Sequence, residues 1–132
     1  MRRICTSIVA TLVLGETALA GGSLTAVGLN NDGQCDIPEG ESFVAVAAGS
    51  HHSIGLRADG TAIAWGRNSH GQCDIPVGET FTQLDGGWYT TIGLRPDGTA
   101  IAWGGSNNYG ECDVPEGEIF TQVAIEAYHA IG

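Results

Sequence analysis

Three octapeptides carry the residues whose types and spacing bear most directly on chemistry: GQCDIPEG at 33–40, GQCDIPVG at 71–78 and GECDVPEG at 110–117. Cys35, Cys73 and Cys112 stand in register, which raises two possibilities, a metal centre and a disulfide. No CxxC pair accompanies them, and such spacing is the usual mark of a thiolate metal site. A disulfide needs Cα atoms about 4.4–6.8 Å apart, whereas equivalent points on stacked sheets lie about 10 Å apart. Buried thiols acting as small hydrophobes are expected, with an intermolecular disulfide as the alternative, since the three cysteines left once an N-terminal leader carrying Cys5 is removed leave one unpaired. His52, Ser53 and Asp59 have the residue types of a hydrolytic triad. Asp59, however, belongs to a hairpin turn, and no nucleophile elbow surrounds Ser53. His52 reads either as a metal ligand or general base, or as a histidine bonding neighbouring backbone in a turn; the second is expected. Asn30-Asn31-Asp32-Gly33 offers calcium-type oxygens but lacks the closing bidentate glutamate. The sequence thus predicts no enzyme, no metal and no cofactor.

The elements that would position these residues follow from repetition. Gly33, Gly71 and Gly110 recur at spacings of 38 and 39, the longer from one residue inserted near Gly105. SIGLRADGTAIAWG at 53–66 aligns with TIGLRPDGTAIAWG at 91–104, and phenylalanine-led stretches start at Phe43, Phe81 and Phe120. Asp59-Gly60 and Asp97-Gly98 are hairpin signals, Pro96 fitting a type I turn closed by a glycine bulge. Trp65-Gly66 and Trp103-Gly104 close the strands that follow. The octapeptides are then connectors between units, with Pro38, Pro76 and Pro115 stiffening each exit. Strand alternation is expected to put Val46, Ile54, Leu56, Ile63 and Trp65 on one face and Ala45, Ala47, Gly55, Ala62 and Ala64 on the other. Two apolar faces require stacking, so the predicted fold is all-β: a partial β-propeller of tandem blades rather than a sandwich. Units are placed near 22–42, 43–80, 81–119 and 120–132.

Residues 1–20 have the layout of a secretory signal peptide. A positive start, Met1-Arg2-Arg3, precedes a twelve-residue apolar run and then Ala18-Leu19-Ala20. The run is short of the roughly twenty residues of a membrane span. Cleavage near Ala20 and a secreted or periplasmic product without membrane attachment are expected, an uncleaved anchor being the alternative. Cleavage removes two positive charges and one negative, taking the net charge from −10 to −11. With no lysine in the chain, such a surface repels phosphate backbones, so nucleic acid is excluded as a partner.

Leu56, Arg57, Asp59, Gly60, Thr61, Ala64, Trp65, Gly66, Asn68, Gly71, Gln72, Cys73 and Pro76 resemble the regulator of chromosome condensation repeat. They are most similar to a bacterial secreted branch with the pattern LRxDGTxxAWGxNxxGQCxxP. The second unit departs at Glu111, where the pattern has glutamine. The resemblance implies a β-propeller, commonly seven-bladed; members include a chromatin-bound exchange factor for a small GTPase and an inhibitor of secreted β-lactamases. Neither activity can be mapped residue by residue. About two whole units and two partial ones are present. A fragment of a longer propeller, assembly of copies into one ring, and an open stack with exposed end faces all stay open.

Positions that vary between units on loops are the candidates for recognition. Ser50-His51 becomes Trp88-Tyr89 and then Ala127-Tyr128; Arg67-Asn68-Ser69-His70 becomes Gly105-Ser106-Asn107-Asn108-Tyr109. Loop aromatics are common binding anchors, so Trp88, Tyr89 and Tyr109, followed by His51 and His70, are the expected contacts for a protein or carbohydrate partner. Packing of these rings between blades is the structural alternative.

Overall fold

A computed structural model describes residues 24–132; the expected leader lies outside the described residues. Among them every regular element is a strand. The first sheet joins β1 (Ala45–Ala48), β2 (His52–Leu56) and β3 (Ala62–Gly66). The second joins β4 (Gln83–Gly86), β5 (Thr90–Leu94) and β6 (Ala100–Gly104), and the third pairs β7 (Ala124–Ile125) with β8 (Ala130–Ile131). All pairings are antiparallel meanders. Residues 24–27 lie outside these sheets.

The β2–β3 hairpin closes as its residues require. Arg57 N–H donates to the Thr61 carbonyl at 2.8 Å and Gly60 N–H to the Arg57 carbonyl at 3.0 Å. Gly60 takes the left-handed conformation of a glycine bulge, φ +84°. Asp59 Oδ1 accepts from Thr61 N–H and Oγ1 at 2.9 and 2.6 Å, and these bonds hold its carboxyl below the usual aspartate range.

The strand faces differ from the alternation expected. β2 pairs Ile54 with Ala47 and Ala64, and Leu56 with Ala45 and Ala62. Ile54 and Leu56 therefore share a face with the alanines, while Gly55 lies among Val46, Ile63 and Trp65. Each face is mixed, a bulky strand between small ones or the reverse. The physical reason is register: the bulged turn sets which residues stand opposite, and a one-residue offset moves a whole strand's side chains to the other face.

Stacking follows from these mixed faces. Ile54 and Leu56 of the first sheet meet Phe81 and Leu84 of the second, with Ala45, Ala47, Ala62, Ala64, Ile101 and Trp103 around them. The next interface repeats the scheme with Ile92 and Leu94 against Val123 and Ile125. The buried aliphatic and aromatic side chains each contribute about 1.5–3 kcal/mol of hydrophobic stabilisation. Within each sheet the leading phenylalanine lies flat over the glycine of the central strand and stacks on the tryptophan. Phe43 and Trp65 centroids are 5.7 Å apart, Phe81 and Trp103 5.6 Å.

On the inner edge β1 packs on β4, and β4 on β7. Gln83 clamps Val123 by both its backbone groups, at 2.8 and 3.1 Å. Asp85 Oδ2 accepts from Ile125 N–H at 2.9 Å. Side chains thus replace a ladder where neighbouring blades meet near the axis. A 340 Å³ cavity opens here, bordered by Leu24–Ala26, Val46–Ala48, Gln83–Asp85 and Gln122–Ala124.

Candidate functional site

Antiparallel connectivity puts the β1–β2 turn, the β4–β5 turn, the β7–β8 turn and the segments after β3 and β6 at one end of the stack. Every one of these carries a ring. His51 lies parallel to Tyr89, centroids 5.5 Å apart and planes 4° apart. His70 stacks on Tyr89 at 4.5 Å, and the Arg67 guanidinium sits over the same ring at 5.6 Å. Trp88 tilts against Tyr89 at 6.1 Å and meets Tyr128 edge-on at 5.5 Å; Tyr109 meets Tyr128 edge-on at 5.1 Å. The five sequence-selected residues, Trp88, Tyr89, Tyr109, His51 and His70, are therefore joined into one aromatic ladder crossing three blades.

Tyr128, Arg67 and Asp32 complete it and were not selected from sequence. Tyr128 had a signal, because it aligns with Tyr89. Asp32 had none: its carboxylate reaches His51 Nδ1 at 3.1 Å across 19 positions of chain. Trp88, Tyr128 and Tyr109 are 43%, 52% and 73% exposed, against half-buried Tyr89 and His51. The ladder has a packed root and an open tip.

Backbone proximity sets the spacing of the ladder. Ser50 N–H donates to the Gly87 carbonyl at 3.1 Å, so the turns bearing His51 and Tyr89 touch. A Cβ on Gly49 would lie 2.4 Å from that carbonyl.

Behind the ladder a buried relay ties the blades together. Thr91 Oγ1 donates to the Gln72 carbonyl at 2.8 Å, which also accepts from Trp103 Nε1 at 3.2 Å. The Thr91 proton being so used, His52 Nε2 must donate to Thr91 Oγ1, at 2.9 Å. His52 is 0% exposed and its Nδ1 has no partner; burial, with the nearby His51 charge adding to it, lowers its pKa to about 4. This corrects the expectation of a turn histidine bonding local backbone: His52 opens β2 and bonds the next blade. The triad types are dispersed as well. Ser53 Oγ donates to the Gln34 carbonyl at 2.8 Å, and Asp59 occupies the opposite end of the stack.

The octapeptides dock by a repeated pattern. Asn68 Oδ1 accepts from Cys73 N–H at 2.8 Å while its Nδ2 donates to Asp74 Oδ1 at 2.7 Å, and Asn30 and Asn107 do the same in their units. Gln72 Oε1 accepts from His70 N–H at 3.0 Å, and Glu111 Oε2 from Tyr109 N–H at 3.1 Å. Glutamate at 111 thus keeps the acceptor that the loop needs. The cysteines are half-buried rather than buried, and no disulfide joins them. Thiols of Cys73 and Cys112 donate to the Arg67 and Gly104 carbonyls; burial, reinforced by Asp74, raises the Cys73 pKa to about 11.

Apolar two-sided sheets stacked about an inner edge, with variable side chains gathered at one end, define a β-propeller repeat protein. Residues 43–72 and 81–111 both match the regulator of chromosome condensation (RCC1) repeat. These two segments are similar to that repeat and lie one after the other along the chain. Among solved structures it is similar to the CRINKLY WD40 ectodomain of the Arabidopsis thaliana receptor kinase ACR4, at 25% identity and TM-score 0.59 over 73% of this chain. The ectodomain of the Physcomitrella patens receptor kinase CR4 matches at 29% identity and TM-score 0.54 over 62%. Prp20p of Saccharomyces cerevisiae shares the fold, at 19% identity and TM-score 0.60 over 78%. The chain spans 33%, 23% and 37% of those three chains. No curated protein matches the sequence.

Proposed function

We propose that this chain is an exported, non-enzymatic interaction module that engages a protein partner through the aromatic ladder at one end of its blades. The observation that carries the reading is the convergence of rings from separate repeats into one surface. The scaffold residues repeat from unit to unit, while the ladder end varies: Ser50 becomes Trp88 and then Ala127, His51 becomes tyrosine at 89 and 128, and the loop bearing His70 is replaced by a longer one bearing Tyr109, as a recognition surface on a repeat fold requires. Exposed tryptophan and tyrosine are the side chains most enriched among interface hot spots. A protein is favoured over a carbohydrate because the exposed rings stand at 71° and 73° to their neighbours; they offer corners, not the flat platform on which a sugar ring stacks. Export is supported by the charge, apolar and small-residue order of residues 1–20.

Affinity capture tests this. The immobilised chain is expected to retain a defined partner, and the Trp88→Ala plus Tyr89→Ala variant to retain less than about a tenth as much, since hot-spot truncations weaken binding by about 2 kcal/mol or more. Equal capture by the double variant, with an unchanged far-ultraviolet spectrum, contradicts it.

A further inference from the structure

The nature of the occupant is written in the charge around the ladder, and this step rests on the ladder being the contact surface. The described residues contain three cations, Arg57, Arg67 and Arg95. Arg57 and Arg95 are committed at the hairpin end, each held by two bonds to a glutamate: Arg57 to Glu41 at 2.7 and 2.9 Å, Arg95 to Glu79 at 2.6 and 2.9 Å. Arg67 alone stands at the ladder end, and its guanidinium covers Tyr89. The chain therefore already contains one instance of a cation seated on a ladder ring.

The exposed tip has rings but no cation. Trp88 and Tyr128 meet at 71°, Tyr109 and Tyr128 at 73°. Three rings related in this way form two adjoining corners; each edge-on contact covers one ring face, and the 43%, 52% and 73% exposure of Trp88, Tyr128 and Tyr109 leaves further ring surface to solvent. Carboxylates stand on the same loops: Glu126 two positions before Tyr128, Glu111 bonded to the Tyr109 N–H, Asp113 bonded to Asn107, and Asp32 at the far side beside His51. The whole chain adds a net charge of −10. A cation over an aromatic face is held by the ring quadrupole, and cages of such faces are the known way to recognise alkylammonium groups. A negative field draws the same group in.

We infer that the ladder tip receives a basic polypeptide segment, with a lysine or arginine side chain in the Trp88–Tyr128–Tyr109 corners and its neighbours facing Glu126 and Asp113. Binding of an octalysine peptide, measured by calorimetry at low salt, tests it against a neutral glycine-serine octapeptide and maltohexaose. Octalysine is expected to bind, and to weaken about five- to thirtyfold in Trp88→Ala plus Tyr128→Ala. Trp88→Phe plus Tyr128→Phe should keep most of the affinity, because a ring is retained. Glu126→Gln should weaken binding, while Glu116→Gln, an exposed carboxylate on a connector, should leave it unchanged.

Several results overturn the inference. One is no octalysine binding; another is equal affinity in the double alanine variant, meaning diffuse attraction to an acidic surface. A third is binding of maltohexaose in its place. A captured partner that needs Trp88 and Tyr89 but is not displaced by octalysine would sink the basic segment while leaving the ladder as the contact surface. Loss of both would sink the two together.

Discussion

Gly93→Ala should destabilise the protein by about 3 kcal/mol, a large effect for one methyl group. In an open strand the same change would be neutral or favourable, because alanine restricts the unfolded chain by about 0.4–1 kcal/mol. Here the new Cβ would stand 2.5 Å from both Cδ1 and Cε1 of Phe81, and 3.1 Å from Leu84 Cδ2. Phe81 cannot yield. It is 2% exposed between two blades and stacks on Trp103, and its N–H is fixed to the Gly60 carbonyl at 2.8 Å. Gly55→Ala is the internal control: its Cβ would come 2.3 Å from Phe43, but that ring covers the outer face of the first sheet and is only half-buried. It can swing aside, so a loss of about 1 kcal/mol is expected, at the low end for overpacking. Urea unfolding of the two variants reads the difference directly. Equal losses, or a stabilised Gly93→Ala, would contradict stacking of the first sheet on the second.

Acid should loosen the blade seam through His52. Its pKa falls from the ordinary histidine value of 6.5 to about 4 in the folded chain because burial penalises the charged ring. Below pH 6.5 the unfolded chain takes up a proton that the folded chain refuses until about pH 4. Stability therefore declines as pH falls through that window and levels off below it, by about 3 kcal/mol in total. The other depressed groups act in the same direction but lower: Asp59 and Glu41 protonate in the unfolded chain only near their ordinary values of 3.8 and 4.5. The stretch from pH 6.5 to 5 thus separates His52 from these carboxylates, and the comparison with His52→Thr assigns the effect to it. Thermal unfolding across it should show a falling midpoint for the wild type and a much flatter line for His52→Thr, threonine being the residue that the next unit carries at Thr90. A flat wild-type profile would remove the buried relay from the account.

Much of the architecture was legible because each unit repeats its own signals. ADGT and PDGT announce the hairpins, Trp-Gly the strand ends, and the octapeptides the connectors. Face assignment was not legible. Alternation is the same whichever way β2 is offset, and only the bulged turn decides that Leu56 stands opposite Ala45 and Ala62. Half of the ladder's logic was legible too, since loop positions that change between units are visible as letters. Its continuity was not, because Asp32, His51, Tyr89 and Tyr128 lie on different units and meet only after the sheets stack. His52 illustrates the same limit: its partner Thr91 lies 39 positions away, in a blade the local sequence cannot announce.

The most direct measurement is a set of nuclear Overhauser contacts between ring protons in solution. Stacked blades with an aligned ladder require contacts from Tyr89 to both His51 and His70, and from Trp88 to Tyr128, rings whose centroids lie 4.5–5.5 Å apart. The account predicts all three. Strong contacts within each sheet, such as Phe81 to Trp103, without any of these between blades would contradict it.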